Sequence, residues 1–228
     1  MLIKNWMSKP VISITGAVSL NDAARIFKTN MISMLPVMEN GKLVGIITDG
    51  DINKAMPSDA TTLDKFELPA LLDGVKIGKI MSSPVITIES DHTIYEAAGI
   101  MLKKQISGMP VIGCDGALEG ILTKSDIFRG FVSFTGIVAR GQIFAFKLKD
   151  RPGVINILTN MIRKTGGRLC SIMTSYDNVE PGFRTIFIHS FDIDPFSFGD
   201  LVEKFEQAGE LLYVADLSSG YRKIYEYE

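Results

Sequence analysis

The sequence predicts a mixed α/β (α+β) fold: two copies of a β-α-β-β-α unit, then a separate β-α-β-β-α-β unit. Three observations carry this. A motif occurs twice, as Gly45-Ile46-Ile47-Thr48-Asp49-Gly50-Asp51 and, 75 residues later, as Gly120-Ile121-Leu122-Thr123-Lys124-Ser125-Asp126. Around each copy a strand signal, an amphipathic helix and a hairpin recur in the same order. Beyond Gly130 the pattern changes to alternating apolar strands that bracket two helical stretches.

The elements follow in order. Met7-Ser8-Lys9-Pro10-Val11-Ile12-Ser13-Ile14 matches Met81-Ser82-Ser83-Pro84-Val85-Ile86-Thr87-Ile88 at an offset of 74, and both read as a first strand. Ser19 with Asp22, and Thr93 with Glu96, place a hydroxyl three residues before an acid, the signature of a helix N-cap. Apolar residues at helical spacing follow: Ala23, Ile26 and Phe27, then Ala97, Met101 and Leu102. Ile32-Ser33-Met34-Leu35-Pro36-Val37 then matches Ile106-Ser107-Gly108-Met109-Pro110-Val111. Asn40-Gly41 and Asp115-Gly116 supply the hairpin turns, the second one residue longer. A unit of about 50 residues is too small to bury a core comfortably, so the two should pack as one pseudo-symmetric body.

Residues 55–75 have no counterpart in the repeat and read as a connector carrying a short helix from Leu63 to Leu72. Residues 131–141 are apolar and Gly-punctuated, part helix tail and part linker. Gln142–Leu148 alternates as a strand, and Val154–Thr165 is a helix stopped by Gly166-Gly167. Leu169–Tyr176 and Phe183–Ser190 are strands, Pro195–Gln207 is a helix, and Glu210–Asp216 is a last strand. That order is the ferredoxin-like arrangement. Residues 218–228 are left as a tail.

Composition sets the function classes. The chain has 228 residues, 46% apolar and 22% charged, with a net charge of −2. This ordinary balance gives no footprint for nucleic acid or an anionic membrane. The two cysteines, Cys114 and Cys170, have no metal-ligand spacing, so a reducing cytoplasm is expected and no metal site. The first residues lack the apolar run of a signal peptide, and nothing approaches a membrane span. His92 and His189 share no motif with either cysteine, and no Walker, G-x-G-x-x-G or G-x-S-x-G pattern occurs. No catalytic residue, enzymatic activity or resident cofactor is therefore expected.

The duplicated motif is where chemistry concentrates. Each copy ends a strand in a hydroxyl and places a carboxylate three residues on, at a helix start. Such a turn can hold a ribose and its phosphate, because the carboxylate accepts from hydroxyls and helix N-termini attract anions. The alternative is that Thr48 with Asp51, and Thr123 with Asp126, only cap their helices.

On these residues, residues 1–130 resemble a tandem pair of CBS domains, a Bateman module, with repeat 1 at 1–54 and repeat 2 at 76–130. The Gly-apolar-apolar-Thr-x-x-Asp endings and the Ser-x-x-Pro-Val segments carry the match. Residues 142–217 resemble an ACT domain through Asp150-Arg151-Pro152-Gly153-Val154 and the β-α-β-β-α-β order. The combination is similar to CBS–ACT proteins of the acetoin-utilisation type. The resemblance implies adenine nucleotides, or an S-adenosyl compound, bound between the repeats. One pocket would join Thr123 and Asp126 to Ser19, Ala24, Ile32 and Ser33; the other would join Thr48 and Asp51 to Thr93, Ala98, Ile106 and Ser107. The aspartates would accept from ribose, and Ile32 and Ile106 would flank adenine. Lys124 beside Asp126 favours phosphate there, or is a solvated surface charge; the Asp51 pocket takes a nucleoside-like ligand or stays empty. An ACT domain implies an amino acid held by Asp150, Gly153 and Val154, the alternative being a plain helix start. The resemblance further implies a cytoplasmic homodimer that regulates an unidentified protein. The competing reading is a structural scaffold with vestigial pockets.

Overall fold

The computed structural model describes residues 1–56 and 72–226. The chain forms two compact units, Met1–Gly130 and Phe131–Glu228. The connector helix expected at Leu63–Leu72 falls almost entirely outside the described residues.

In the first unit each repeat builds a helix, a hairpin and a second helix. Repeat 1 contains α1 (Leu20–Asn30), β1 (Met34–Glu39), β2 (Lys42–Thr48) and α2 (Asp49–Ala55). Ser19 caps α1 by accepting the Asp22 N–H, and Leu20, Ala23 and Phe27 form its buried face. Asn40 and Gly41 both adopt positive φ, 49° and 77°, the conformation that a two-residue hairpin turn requires. Repeat 2 contains β3 (Ile88–Glu89), α3 (Ile94–Lys104), β4 (Gly108–Ile112), β5 (Leu118–Thr123) and α4 (Lys124–Thr135). Thr93 and Glu96 close a capping box on α3.

The first strand of each repeat is shorter than the sequence suggests. Ile14 makes a single parallel bridge to Val37, and β3 is two residues long, parallel to β4. The segment is divided between two partners. Its leading end crosses to the other repeat, where Ser8 bridges Ile121 and Ser82 bridges Ile46. Only its trailing end reaches the sheet of its own repeat, and between the two Pro10 and Pro84 have no N–H to give a ladder.

This exchange completes both cores. Ile3, in the 3₁₀ turn Ile3–Asn5, and Met7 are buried with Ile88, Ile94 and Met101 of repeat 2. Ile77, in the matching turn Ile77–Lys79, is buried with Leu20, Phe27 and Leu35 of repeat 1. Backbone bonds fix the crossings: the Ile3 N–H donates to His92 O at 2.8 Å, and the Ile77 N–H to Val18 O at 3.0 Å. Glycine allows the close approach. A Cβ on Gly120 would lie 2.4 Å from Met7 Sδ, and one on Gly45 would lie 2.2 Å from Met81 Sδ.

The second unit contains β6 (Gln142–Lys149), α5 (Val154–Lys164), β7 (Arg168–Ser175), β8 (Phe183–Phe191), α6 (Pro195–Ala208), β9 (Glu210–Asp216) and β10 (Arg222–Ile224). Its sheet runs β10-β9-β6-β8-β7, antiparallel throughout, which is the ferredoxin-like order with one strand added. Phe144, Phe146 and Leu148 alternate along β6 into a core shared with Leu158, Ile162 and Phe205. Phe205 meets Phe144 and Phe146 edge-on, with centroids 4.9 and 5.0 Å away.

The added strand corrects the tail assigned to residues 218–228. Asp216 accepts the Ser218 N–H at 2.9 Å and the Ser219 hydroxyl at 2.7 Å, closing a turn that returns the chain along β9. Glu206 on α6 then accepts from Lys223 at 2.8 Å and from the Tyr225 hydroxyl.

Two outcomes follow from this packing. Gly120→Ala should cost about 1–3 kcal/mol of stability in denaturant unfolding through overpacking. Combining it with Met7→Ala should cost less than the sum of the single changes, whereas additivity would show that the two positions do not meet. Burial first, and the Glu206 contact second, push the Tyr225 phenol up to about 12 from its ordinary 10.0. The folded state thus favours the neutral phenol, and this contribution is complete below pH 10 and lost as pH rises through about 12. A phenolate absorbance titration should lose a late component in Tyr225→Phe; an unchanged curve would refute the assignment.

Candidate functional site

Both copies of the duplicated motif fold into the same strand-to-helix turn. Asp51 Oδ2 accepts the Thr48 N–H at 3.0 Å and its hydroxyl at 2.7 Å, while Thr48 Oγ1 accepts the Asp51 N–H at 3.3 Å. Asp126 Oδ2 accepts the Thr123 N–H and hydroxyl, each at 2.8 Å, and Thr123 Oγ1 accepts the Asp126 N–H at 3.3 Å. Each aspartate is thus a capping-box acid through one oxygen.

The other oxygen separates the two turns. Asp126 Oδ1 accepts from the Arg129 guanidinium at 2.9 Å, and the same Arg129 nitrogen donates to Trp6 O at 2.7 Å. Asp51 Oδ1 has no hydrogen bond among the described residues. Asp126 is buried and Asp51 half-buried.

Each turn opens on a cleft between the repeats. A cleft of about 290 Å³ is lined by Thr48 and Asp51 of repeat 1 and by Ser82, Ile86, Ile106 and Ser107 of repeat 2. A second, of about 310 Å³, is lined by Thr123 and Asp126 with Ser8, Ile12, Ile32 and Ser33. These volumes lie at the small end of the range of about 300–1,000 Å³ for small-molecule sites, room for one nucleoside-sized ligand. Met34 lines both clefts. Two carbonyls join them further: Ser33 O accepts the Asp49 N–H at 3.2 Å, and Ser107 O accepts the Lys124 N–H at 2.8 Å.

The structure therefore brings Thr48, Asp51, Ile106 and Ser107 together, and likewise Thr123, Asp126, Ile32 and Ser33. It leaves other sequence-predicted positions outside both linings. Ser19 is buried at its cap, accepting the Asp22 N–H at 3.1 Å and donating to Asp22 Oδ2 at 2.9 Å. Thr93 is occupied in the same way by Glu96, whose carboxyl these bonds hold below its usual range. Ala24 packs on the core of repeat 1, and Ala98 is half-buried on α3. Lys124 is exposed and off the lining, where Ser125 stands instead. Consecutive helical residues point about 100° apart, so only one of the pair can face the cleft. Sequence reasoning missed Ser8, Pro10 and Ile12 with their counterparts Ser82, Pro84 and Ile86. Their duplication was the available signal.

In the second unit Asp150 is engaged within the protein. It accepts from the Tyr176 hydroxyl at 3.1 Å and lies 3.3 Å from Arg184 Nε. That distance is an ion pair, yet its angle leaves the buried Nε without a hydrogen bond. Gly153, at φ 85°, is the N-cap of α5, and buried Val154 is its first residue, with its N–H 3.5 Å from Arg151 O. Both histidines have partners. Buried His189 sets Nδ1 2.9 Å from Thr135 O and Nε2 2.8 Å from Arg140 O. His92 Nδ1 lies 3.1 Å from Asp91 Oδ1, and with Glu89 these residues place three donor atoms within 4.8 Å on a surface loop. Among the described residues no helix is long and apolar enough to cross a membrane.

Comparison with known proteins agrees with the first unit. The CBS domain family model matches residues 3–58 and 77–133. An uncharacterised protein of Methanocaldococcus jannaschii is 34% identical over 156 residues, which are 58% of this chain and 92% of that protein. A CBS domain-containing protein of Dictyostelium discoideum is 34% identical over 128 residues, 56% of this chain and 88% of its own. The solved CBS domain pair of protein MJ0100, in complex with 5′-methylthioadenosine and S-adenosyl-L-methionine, is 37% identical. It covers 57% of this chain and 95% of its own, with a TM-score of 0.47.

The unequal turns lead to a stability prediction. Asp51→Ala should cost about 1 kcal/mol, the value of a lost cap. Asp126→Ala should cost more, up to about 3 kcal/mol, because Asp126 is buried where Asp51 is half-buried, so the groups it leaves unpaired have less access to water. The exposed Arg129 pair adds at most about 1 kcal/mol of that. Equal losses in urea unfolding would show that burial and Arg129 contribute nothing.

Proposed function

The chain belongs to the CBS-domain family, and on that premise we propose that it is a non-enzymatic regulatory protein that senses adenosine-based ligands in the two clefts of its first unit. One observation carries this reading: a carboxylate fixed by its helix cap stands in each cleft beside a pair of isoleucines, Ile86 with Ile106 and Ile12 with Ile32. The isoleucines offer apolar walls to a planar ring, and the carboxylate offers an acceptor to ribose hydroxyls. Site and signal are the same residues: a ligand that touches Met34, Ser33 or Ser107 in one cleft acts on the wall or turn of the other, and so biases a partner's activity.

The second unit completes the reading as an ACT-type module that responds to an amino acid. Among the described residues the Gly153 N–H at the start of α5 has no acceptor, which suits a carboxylate, and Asp150 enters by releasing Tyr176. Tyr95, Leu102 and Phe128, exposed on the first unit, suit self-association as a cytoplasmic homodimer. The scaffold reading is less favoured, because both clefts retain their acid and their apolar walls.

Calorimetry and thermal unfolding with adenosine, AMP, ADP, ATP and S-adenosylmethionine test the proposal. At about 100 times Kd a ligand should stabilise the protein by about 2.7 kcal/mol. The Asp51→Asn, Asp126→Asn double variant, checked as folded by circular dichroism, should lose that gain. Neither heat nor stabilisation with any ligand would move the first unit to the scaffold reading.

A further inference from the structure

We infer, resting on the reading that the clefts take adenosyl ligands, that the Asp51 cleft selects a nucleoside whose 5′ substituent is neutral or cationic and turns phosphate away. Among the described residues its lining contains no lysine, arginine or histidine. The backbone donors of its helix start are also spent. At the start of α2 the Asp49 N–H donates to Ser33 O at 3.2 Å, the Gly50 N–H to Asp49 Oδ1 at 2.9 Å, and the Asp51 N–H to Thr48 Oγ1 at 3.3 Å. These are the groups that a phosphate would use at a helix start. The protein supplies its own anion instead: Asp49 folds back onto the turn, so two carboxylates stand within three residues. A phosphate would meet repulsion from Asp51 in the lining, with Asp49 a more distant charge off it, and find no free donor among the three N–H groups; a thioether or hydroxyl loses nothing, and a sulfonium or ammonium gains.

The second cleft is an internal control, because the same fold surrounds different residues. Lys124 and Ser125 replace Asp49 and Gly50. The Ser125 N–H has no acceptor among the described residues, Ser125 lines the cleft, and Asp126 is the only acid of that first turn. Asp126 is already neutralised by Arg129. An anionic 5′ group is therefore tolerated at the Asp126 cleft and refused at the Asp51 cleft, which assigns two ligand classes to one molecule.

Calorimetric titration with 5′-methylthioadenosine and AMP, which share a nucleoside and differ in 5′ charge, tests the assignment. In Asp126→Asn, where the Asp51 cleft is intact, methylthioadenosine should bind at least about tenfold more tightly than AMP. Adding Asp49→Ala should narrow that ratio by strengthening AMP. AMP binding as tightly as methylthioadenosine in Asp126→Asn would overturn the inference and leave the sensor reading standing. Should Asp126→Asn fail to fold, the wild type and Asp51→Asn decide: loss of methylthioadenosine binding with AMP retained supports the assignment, and parallel loss of both overturns it. No binding of any adenosyl compound to the wild type would overturn the sensor reading, and this inference with it.

Discussion

The first unit depends on one constraint: neither repeat owns a complete core. Ile3 and Met7 open repeat 1 yet are buried in the core of repeat 2, and Ile77 and Met81 open repeat 2 yet pack on the core of repeat 1. A fully buried isoleucine contributes about 1.5–3 kcal/mol, so withdrawing either segment removes a substantial share of a domain's net stability. The exchange also creates the clefts. Each leading segment must pass between the repeats to reach its partner, and in passing it lays Ser8, Pro10 and Ile12, or Ser82, Pro84 and Ile86, along one wall. Gly45 and Gly120 let the methionines of those segments lie directly on the opposing strands.

Because duplication produced two clefts, their differences are easier to interpret than their likeness. Met34 corresponds to Gly108 at the offset of 74, and it is the larger residue that reaches into both clefts. A Cβ at Gly108 would sit 2.8 Å from Leu122 O and 3.1 Å from Met34 Cε, so this small residue opposite the large one is a packing requirement. The asymmetry is thus fixed in the shared wall as well as in the turns. It gives ligand occupancy a physical route: Met34 cannot change rotamer for one cleft without changing the other. Coupling of that kind needs two arrangements of different ligand affinity, and a flexible, unbranched methionine is a residue able to provide them.

Local features were legible in the sequence because local chemistry determines them. The Asn40-Gly41 turn, the caps at Ser19 and Thr93, and the β-α-β-β-α-β order of the second unit all follow from residue type and spacing. The segment exchange was not legible, since Met7–Ile14 reads as one strand whichever repeat receives its front half. Ser19 and Thr93 entered the expected site through the family resemblance, and local pattern could not have excluded them. A hydroxyl followed three residues later by an acid is the same pattern at Thr48 and Thr123, and only tertiary position distinguishes a cap beside a cleft from a cap against a core. The strand at Arg222–Ile224 was missed because it is short, exposed and charged, and it is held by partners on α6 rather than by an apolar face.

Cap and ligand contact, posed as alternatives for Asp51 and Asp126, are compatible because a carboxylate has two oxygens. Oδ2 is committed to the threonine in both turns, and this fixes the direction of Oδ1 before any ligand arrives. An acceptor held in that way loses little rotamer freedom on binding, so more of each hydrogen bond appears as affinity. At Asp126 the second oxygen is held by Arg129, whose same nitrogen grips Trp6 O on the exchanged segment. Under the proposed function, a ribose drawing on Asp126 Oδ1 would share it with, or take it from, Arg129, which ties this turn to the segment completing the repeat 2 core. Among the described residues Asp51 has no such tether; its cleft is walled by Ser82, Pro84 and Ile86 of the other exchanged segment and by the shared Met34. Under the proposed sensing role, occupancy of the Asp51 site would reach the rest of the unit through the shared Met34, and occupancy of the Asp126 site through Met34 and Arg129 together.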